Sequence, residues 1–202
     1  MPDQERSVAY RAALGETPKR VGPADAFHGA QETVLAGRKL DMVALAAQLG
    51  VGRATLYRWV GDRDQLLAEV LTANVLGVID YATANARGTG KRFLQDGVSR
   101  FLQVLADSDA VRAFLANEGA AGVLMVTAPR GPVRPKLVAR VAEVIEEEAR
   151  AGRYRPPATP EQLADGLVSM AERFLHHGGD PTLNPDPATA RLMIRLLLRE
   201  DT

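Results

Sequence analysis

Few residue types in this chain can do chemistry. It has no cysteine and three histidines, His28, His176 and His177. A thiolate nucleophile, a thiolate zinc site and a disulfide are therefore excluded. His176 and His177 are adjacent, and neighbours on a helix point about 100° apart, so they do not readily chelate one ion. At a helix end their imidazoles sit favourably in the helix dipole. His28 lies off its helix's apolar stripe and reads as a surface residue. The acidic run Glu143, Glu146, Glu147 and Glu148 has no converging partner ligands and reads as a solvated face. No P-loop, nucleophile elbow or H-E-x-x-H motif is present. What remains is one short helical face made of Ala54, Thr55, Tyr57 and Arg58. It is small at one position, hydroxyl-bearing at two and cationic at the last. Such a face suits a DNA groove: it has little bulk, donors for phosphates and base edges, and a guanidinium that can pair with guanine.

That face has to be presented by the stretch from Asp41 to Arg63, DMVALAAQLGVGRATLYRWVGDR. Asp41 is a good N-cap. Met42, Leu45, Ala46 and Leu49 then recur at helical spacing, and Gly50 ends the first helix. A second helix over roughly 53–60 turns Leu56, Trp59 and Val60 to one side and the four polar or small residues to the other. Two short helices joined by a glycine turn make a helix-turn-helix. Ahead of it, Pro23 suits a first helical position, and Phe27, Ala30, Val34 and Leu35 form a stripe that should pack beneath it. After it, Asp62 and Gln65 have capping-box spacing and open a helix to about residue 86. Between Arg38 and Arg63, five cations face two carboxylates, on a chain whose net charge is zero. The pattern fits a local DNA-binding patch and not a protein that coats nucleic acid nonspecifically.

The residue order A-x-x-L-G-V-G-R-x-T-L-Y-R-W-V-x-D-R-D-x-L-L closely resembles the DNA-binding signature of the TetR family of bacterial regulators, over about 24–71. The resemblance implies an all-α protein with three DNA-binding helices and a larger helical regulatory domain. It also implies a homodimer, a roughly palindromic operator, and repression relieved by a small molecule. Carried over residue by residue, the family's DNA contacts fall on Arg53, Ala54, Thr55, Tyr57, Arg58 and Arg63. Arg63 stands in place of a usual lysine, where a phosphate would meet a helix N-terminus. Gly52 stands where the family often has Ser or Thr, removing a side-chain cap. Val60 and Gly61 replace a common Phe-Pro pair, so a looser turn is expected.

The implied division is a leader over 1–22, a DNA-binding domain over 23–66 and a ligand-binding and dimerisation domain over 67–202. The leader's Arg6, Arg11, Lys19 and Arg20 read either as a basic arm or as a solvated tail. The helix from residue 63 links the two domains mechanically. Beyond it, helices are expected over 91–106, 108–117, 119–128 and 133–151, with Pro-rich breaks at 129–135 and 154–160. Thr159-Pro160-Glu161-Gln162 is a strong helix start. The helices over 160–176 and 187–198 have apolar residues on more than one side, which points to a dimer built through them.

The C-terminal two-thirds is similar to the QsdR-like branch of the family, associated with quorum-signal lactone degradation. That implies an acyl or lactone effector. Phe93, Phe101, Met125, Met170 and Phe174 are the expected lining of an apolar pocket, with Gly97, Gly119, Gly122 and Gly166 leaving room. No cofactor or metal is expected. No run of 18 apolar residues suggests a membrane span and no apolar N-terminal core suggests a signal peptide, which fits a cytoplasmic regulator. The alternatives are a helical dimeric scaffold and an enzyme, both without DNA binding.

Overall fold

The computed structural model describes residues 21–176 and 187–200, without the side chains of 174–176, 187 and 188. Residues 1–20 of the leader, His177 and the side chains of Phe174 and His176 thus lie outside the described residues. Nine helices and no strand are found among those described. They are α1 (Pro23–Leu35), α2 (Met42–Gln48), α3 (Arg53–Val60), α4 (Arg63–Ala84), α5 (Lys91–Asp107), α6 (Asp109–Thr127), α7 (Arg134–Arg150), α8 (Pro160–His176) and α9 (Pro187–Leu197).

The first core is built where the apolar periodicity demanded it. Ala26, Ala30 and Val34 of α1, Leu45 of α2, Leu56 and Val60 of α3, and Leu66, Leu67 and Val70 of α4 form one buried cluster. Leu35, expected in that stripe, is instead 55% exposed to solvent. The second core joins α5, α7, α8 and α9 through residues such as Leu102, Ile145, Leu167 and Ile194. Ile79 of α4 joins Leu137 and Val168 in a third cluster, so α4 runs from one core into the other. By length and composition alone α4 could cross a membrane, but core helices pass the same test, and its apolar side chains serve these clusters.

One expectation holds and two are corrected. The segments over 108–117 and 119–128 are two helical pieces, together α6, that meet at a kink at Gly119 (φ 56°, ψ −143°), a conformation that side chains with a Cβ rarely adopt. Glu148 does not belong to a solvated face. It is buried, accepts from the Gly90 N–H at 2.7 Å and pairs with Arg153 at 2.5 Å, pinning the α4–α5 turn to α7. Both apolar edges of α8 that can be described turn inward. Leu163, Leu167, Met170, Ala164, Val168 and Ala171 are all buried. The apolar surplus of the last two helices therefore reduces, among the described residues, to Leu192 and Leu196 on α9.

One buried cation holds α7 to α8. Arg134 donates to Glu172 at 2.8 Å, Asp165 at 2.7 Å and the Ser169 hydroxyl at 2.9 Å. A guanidinium this buried is tolerated because its donors are matched by two carboxylates and a hydroxyl.

Candidate nucleic-acid interface and effector cavity

The interface starts from α2, which supports α3. The Asp41 carboxylate caps α2, accepting from the Val43 N–H at 2.7 Å and the Ala44 N–H at 3.0 Å. The Ala44 and Val43 amides hold this carboxyl below the usual aspartate range. α3 then packs through Leu56, which is fully buried, and through Val60. With those two inward, Arg53, Ala54 and Arg58 are exposed, Tyr57 is exposed, and Thr55 is half-buried. The family's usual side-chain cap is indeed missing at Gly52, and only its carbonyl serves α3, accepting from Thr55 and Leu56 at 3.0 and 3.1 Å.

The α3–α4 turn is shaped by its glycine. Gly61 sits at φ 71°, a value closed to the proline found there in many relatives, whose ring fixes φ near −65°. The turn follows a glycine-specific path, and Asp62 caps α4 by accepting from the Gln65 N–H at 2.8 Å. Arg63 is engaged within the protein. Its Nε donates to the Leu40 carbonyl at 2.9 Å, and its two terminal nitrogens engage Asp64 and Glu118. Its side chain remains partly exposed at the start of α4. Glu118 lies one residue before the Gly119 break in α6, and Asn117 donates to the Gly37 carbonyl at 3.0 Å. The α1–α2 loop and the start of α4 are thus both tied to the middle of α6.

Behind that tie lies a cavity of about 150 Å³. Its wall comes from Leu71, Val75 and Val78 of α4, Val104 and Leu105 of α5, Val111, Val123 and Val126 of α6, and from Val34 and Leu35 of α1. Leu35 is thereby explained: its exposed side belongs to this space. The polar wall groups are Asn74, Ser108 and Glu172. Asn74 accepts from the Gln31 amide of α1 at 2.7 Å, Ser108 caps α6, and Glu172 pairs with Arg134. A second cavity, about 60 Å³, lies deeper among α4, α5, α7 and α8, lined by Ile79, Phe93, Gly97, Val141 and their neighbours.

Of the expected lining residues, Phe93 faces the smaller cavity and Phe101 faces both. Met170 does not line either; it is 5% exposed within the second core, because the wall of α8 is made by Leu167, Val168 and Ala171. Met125 packs against the first core, since beyond the Gly119 break α6 turns Val123 and Val126 to the cavity. Gly122 leaves no room either: a Cβ there would fall 2.9 Å from the Phe114 ring. The sequence reading missed the valines of α4, α5 and α6. At helical spacing they are indistinguishable from core.

Residues 89–199, more than half of the chain, match the family model described as Tetracyclin repressor-like, C-terminal domain. Among solved structures, the transcriptional repressor QsdR of R. erythropolis, of the TetR family, is 30% identical with a TM-score of 0.74, over 92% of this chain and 98% of that one. The TetR family repressor AlkX of Dietzia sp. strain DQ12-45-1b, implicated in n-alkane biodegradation, is 19% identical with a TM-score of 0.56, over 89% and 94%. FadR of Bacillus subtilis, solved with stearoyl-CoA, is 12% identical with a TM-score of 0.53, over 88% and 98%. Among curated proteins, none matches at a significant level. With its C-terminal half matching that model and nearly its whole length aligning with QsdR, the chain belongs to the TetR family of transcriptional regulators.

Proposed function

We propose that the protein is a cytoplasmic, ligand-responsive repressor that binds a roughly palindromic operator as a homodimer and leaves it when an apolar small molecule fills the 150 Å³ cavity. Arg53, Ala54, Thr55, Tyr57 and Arg58 face the major groove, with Arg58 as the base-reading cation. Arg63, at the start of α4, also joins the DNA-binding helices to α6. The dimer is carried by α9, where Leu192 and Leu196 stand exposed, Leu196 at 61%. Leu196→Glu should leave the fold intact while sedimentation shows the dimer weakened.

The observation that carries the reading is the cavity's wall. Val34 and Leu35 of α1 share it with α4, α5 and α6, so a ligand there touches the helix that supports the helix-turn-helix. A ligand that prefers one spacing of the two recognition helices lowers operator affinity by its differential affinity for the two states. Operators read by such dimers present successive major grooves about 34–36 Å apart. A hundredfold release requires about 2.7 kcal/mol, roughly the burial of three or four methylenes. The test is a gel shift on the DNA upstream of the protein's own gene, with and without straight-chain acyl compounds and lactones. A shifted band dissolved by one of these classes is expected. No shift at any protein concentration would exclude the DNA-binding reading.

A further inference from the structure

The two cavities are walled from each other by very little. They share four lining residues: Phe101 of α5, Leu137 of α7, and Val168 and Ala171 of α8. Of these, Phe101 alone is large and aromatic. It is only partly buried, and it packs against both the second and the third apolar clusters. Its ring therefore stands at the waist of what is otherwise one apolar passage from α1 to the inner face of α7.

The two ends of that passage differ in chemistry. Asn74, Ser108 and Glu172 all line the larger cavity. The smaller one offers a single hydroxyl, Thr83, which already donates to the Ile79 and Asp80 carbonyls. No lysine or arginine is among the described residues lining either cavity. The one charged lining group, Glu172, is already paired with Arg134, so a bound anion would find no cation in the lining to meet it.

Resting on the effector reading above, we propose that the ligand is an unbranched apolar chain with an uncharged polar head, and that Phe101 is the stop that sets its length. The head lies beside Asn74 and Ser108, and the chain points toward Phe101. On a scale where a water-sized group takes about 10–15 Å³, the larger cavity holds on the order of ten such groups and the smaller about five. With the ring in place the chain ends at about ten heavy atoms; without it, the passage admits about fifteen. Each added methylene that finds room tightens binding about fourfold.

The test uses the full-length protein and primary straight-chain alcohols from about six to sixteen carbons, read by calorimetry and by the ligand-induced rise in melting temperature. Wild type should bind more tightly with length up to about ten heavy atoms and then lose affinity. Phe101→Ala, and Phe101→Leu as the variant safer for folding, should move that cut-off to longer chains. A fourteen-carbon alcohol should gain at least about tenfold, while an eight-carbon alcohol changes by less than about threefold. Adding Gly97→Leu should restore the short cut-off, because Gly97 lines the smaller cavity and a Cβ there has only the Ala86 methyl within 4 Å, at 3.8 Å. If wild type binds the alcohols but the cut-off is the same in both Phe101 variants, the stop is overturned and the effector reading stands. If fatty acids of matched length bind more tightly than the alcohols, the uncharged head is overturned. If wild type binds no chain of either kind, the effector reading falls and this inference with it.

Discussion

The two ends of α4 are packed to different standards. Around its first two turns, Leu56, Leu66, Leu67 and Val70 are essentially inaccessible and belong to one apolar cluster. Around its second half, Val75, Val78 and Ile79 face empty space on two sides of Phe101. The same helix therefore holds a rigid reading head at one end and an adaptable chamber at the other. A packed interior transmits displacement because it is close to incompressible, whereas a hollow one can be changed by what enters it. On the function proposed above, sensing belongs to the second and positioning to the first.

The contrast is broken most severely by Leu56→Ala. It empties a site with no freedom to collapse and should cost about 2–5 kcal/mol in denaturant unfolding, with loss of operator binding. Arg58→Ala leaves the fold alone. It should cost roughly 1–3 kcal/mol of operator affinity and relax specificity at one base pair, read by a competition gel shift. Glu148 sharpens the comparison through pH. Arg153, helped by the Gly90 N–H and opposed by burial, holds its carboxyl below the usual glutamate range. A depressed folded value means that its stabilisation is complete above the unfolded value of about 4.3 and is lost as pH falls through the lower, folded one. Glu148→Gln should therefore lower the melting temperature at neutral pH and flatten its decline between about pH 5 and 3. Val104→Phe, in turn, fills space already empty. Unfolding should change by about 1 kcal/mol or less, while the response of operator binding to ligand disappears.

Much of the reading head was legible in the sequence because its signals are local. Asp41, Asp62 and the spacing of Leu45, Leu49, Leu56 and Val60 define caps and faces within a few residues. The Thr159–Gln162 capping box is local too, and both of its hydrogen bonds form, at 3.2 and 3.3 Å. The chamber was not legible, because a void is a property of several helices at once. Val104, Val123 and Val126 have the spacing of core residues, and only the meeting of α4, α5 and α6 leaves them facing nothing. Met125 and Met170 were expected at the wall for their flexibility, yet each fills a packed cluster. The tie made by Arg63 was not legible for the same reason. Its partner Glu118 lies 55 residues away, beyond any pattern read along the chain.

The most direct test of the coupling between chamber and reading head is reciprocity. If ligand weakens operator binding by some factor, operator must weaken ligand binding by the same factor. Calorimetry should be run with a ten-carbon straight-chain alcohol, on the free protein and on the protein saturated with its upstream DNA. The account predicts about a hundredfold weaker ligand binding to the DNA-bound dimer, matched by an equal loss of operator affinity when ligand saturates. Equal ligand affinity with and without DNA would contradict it.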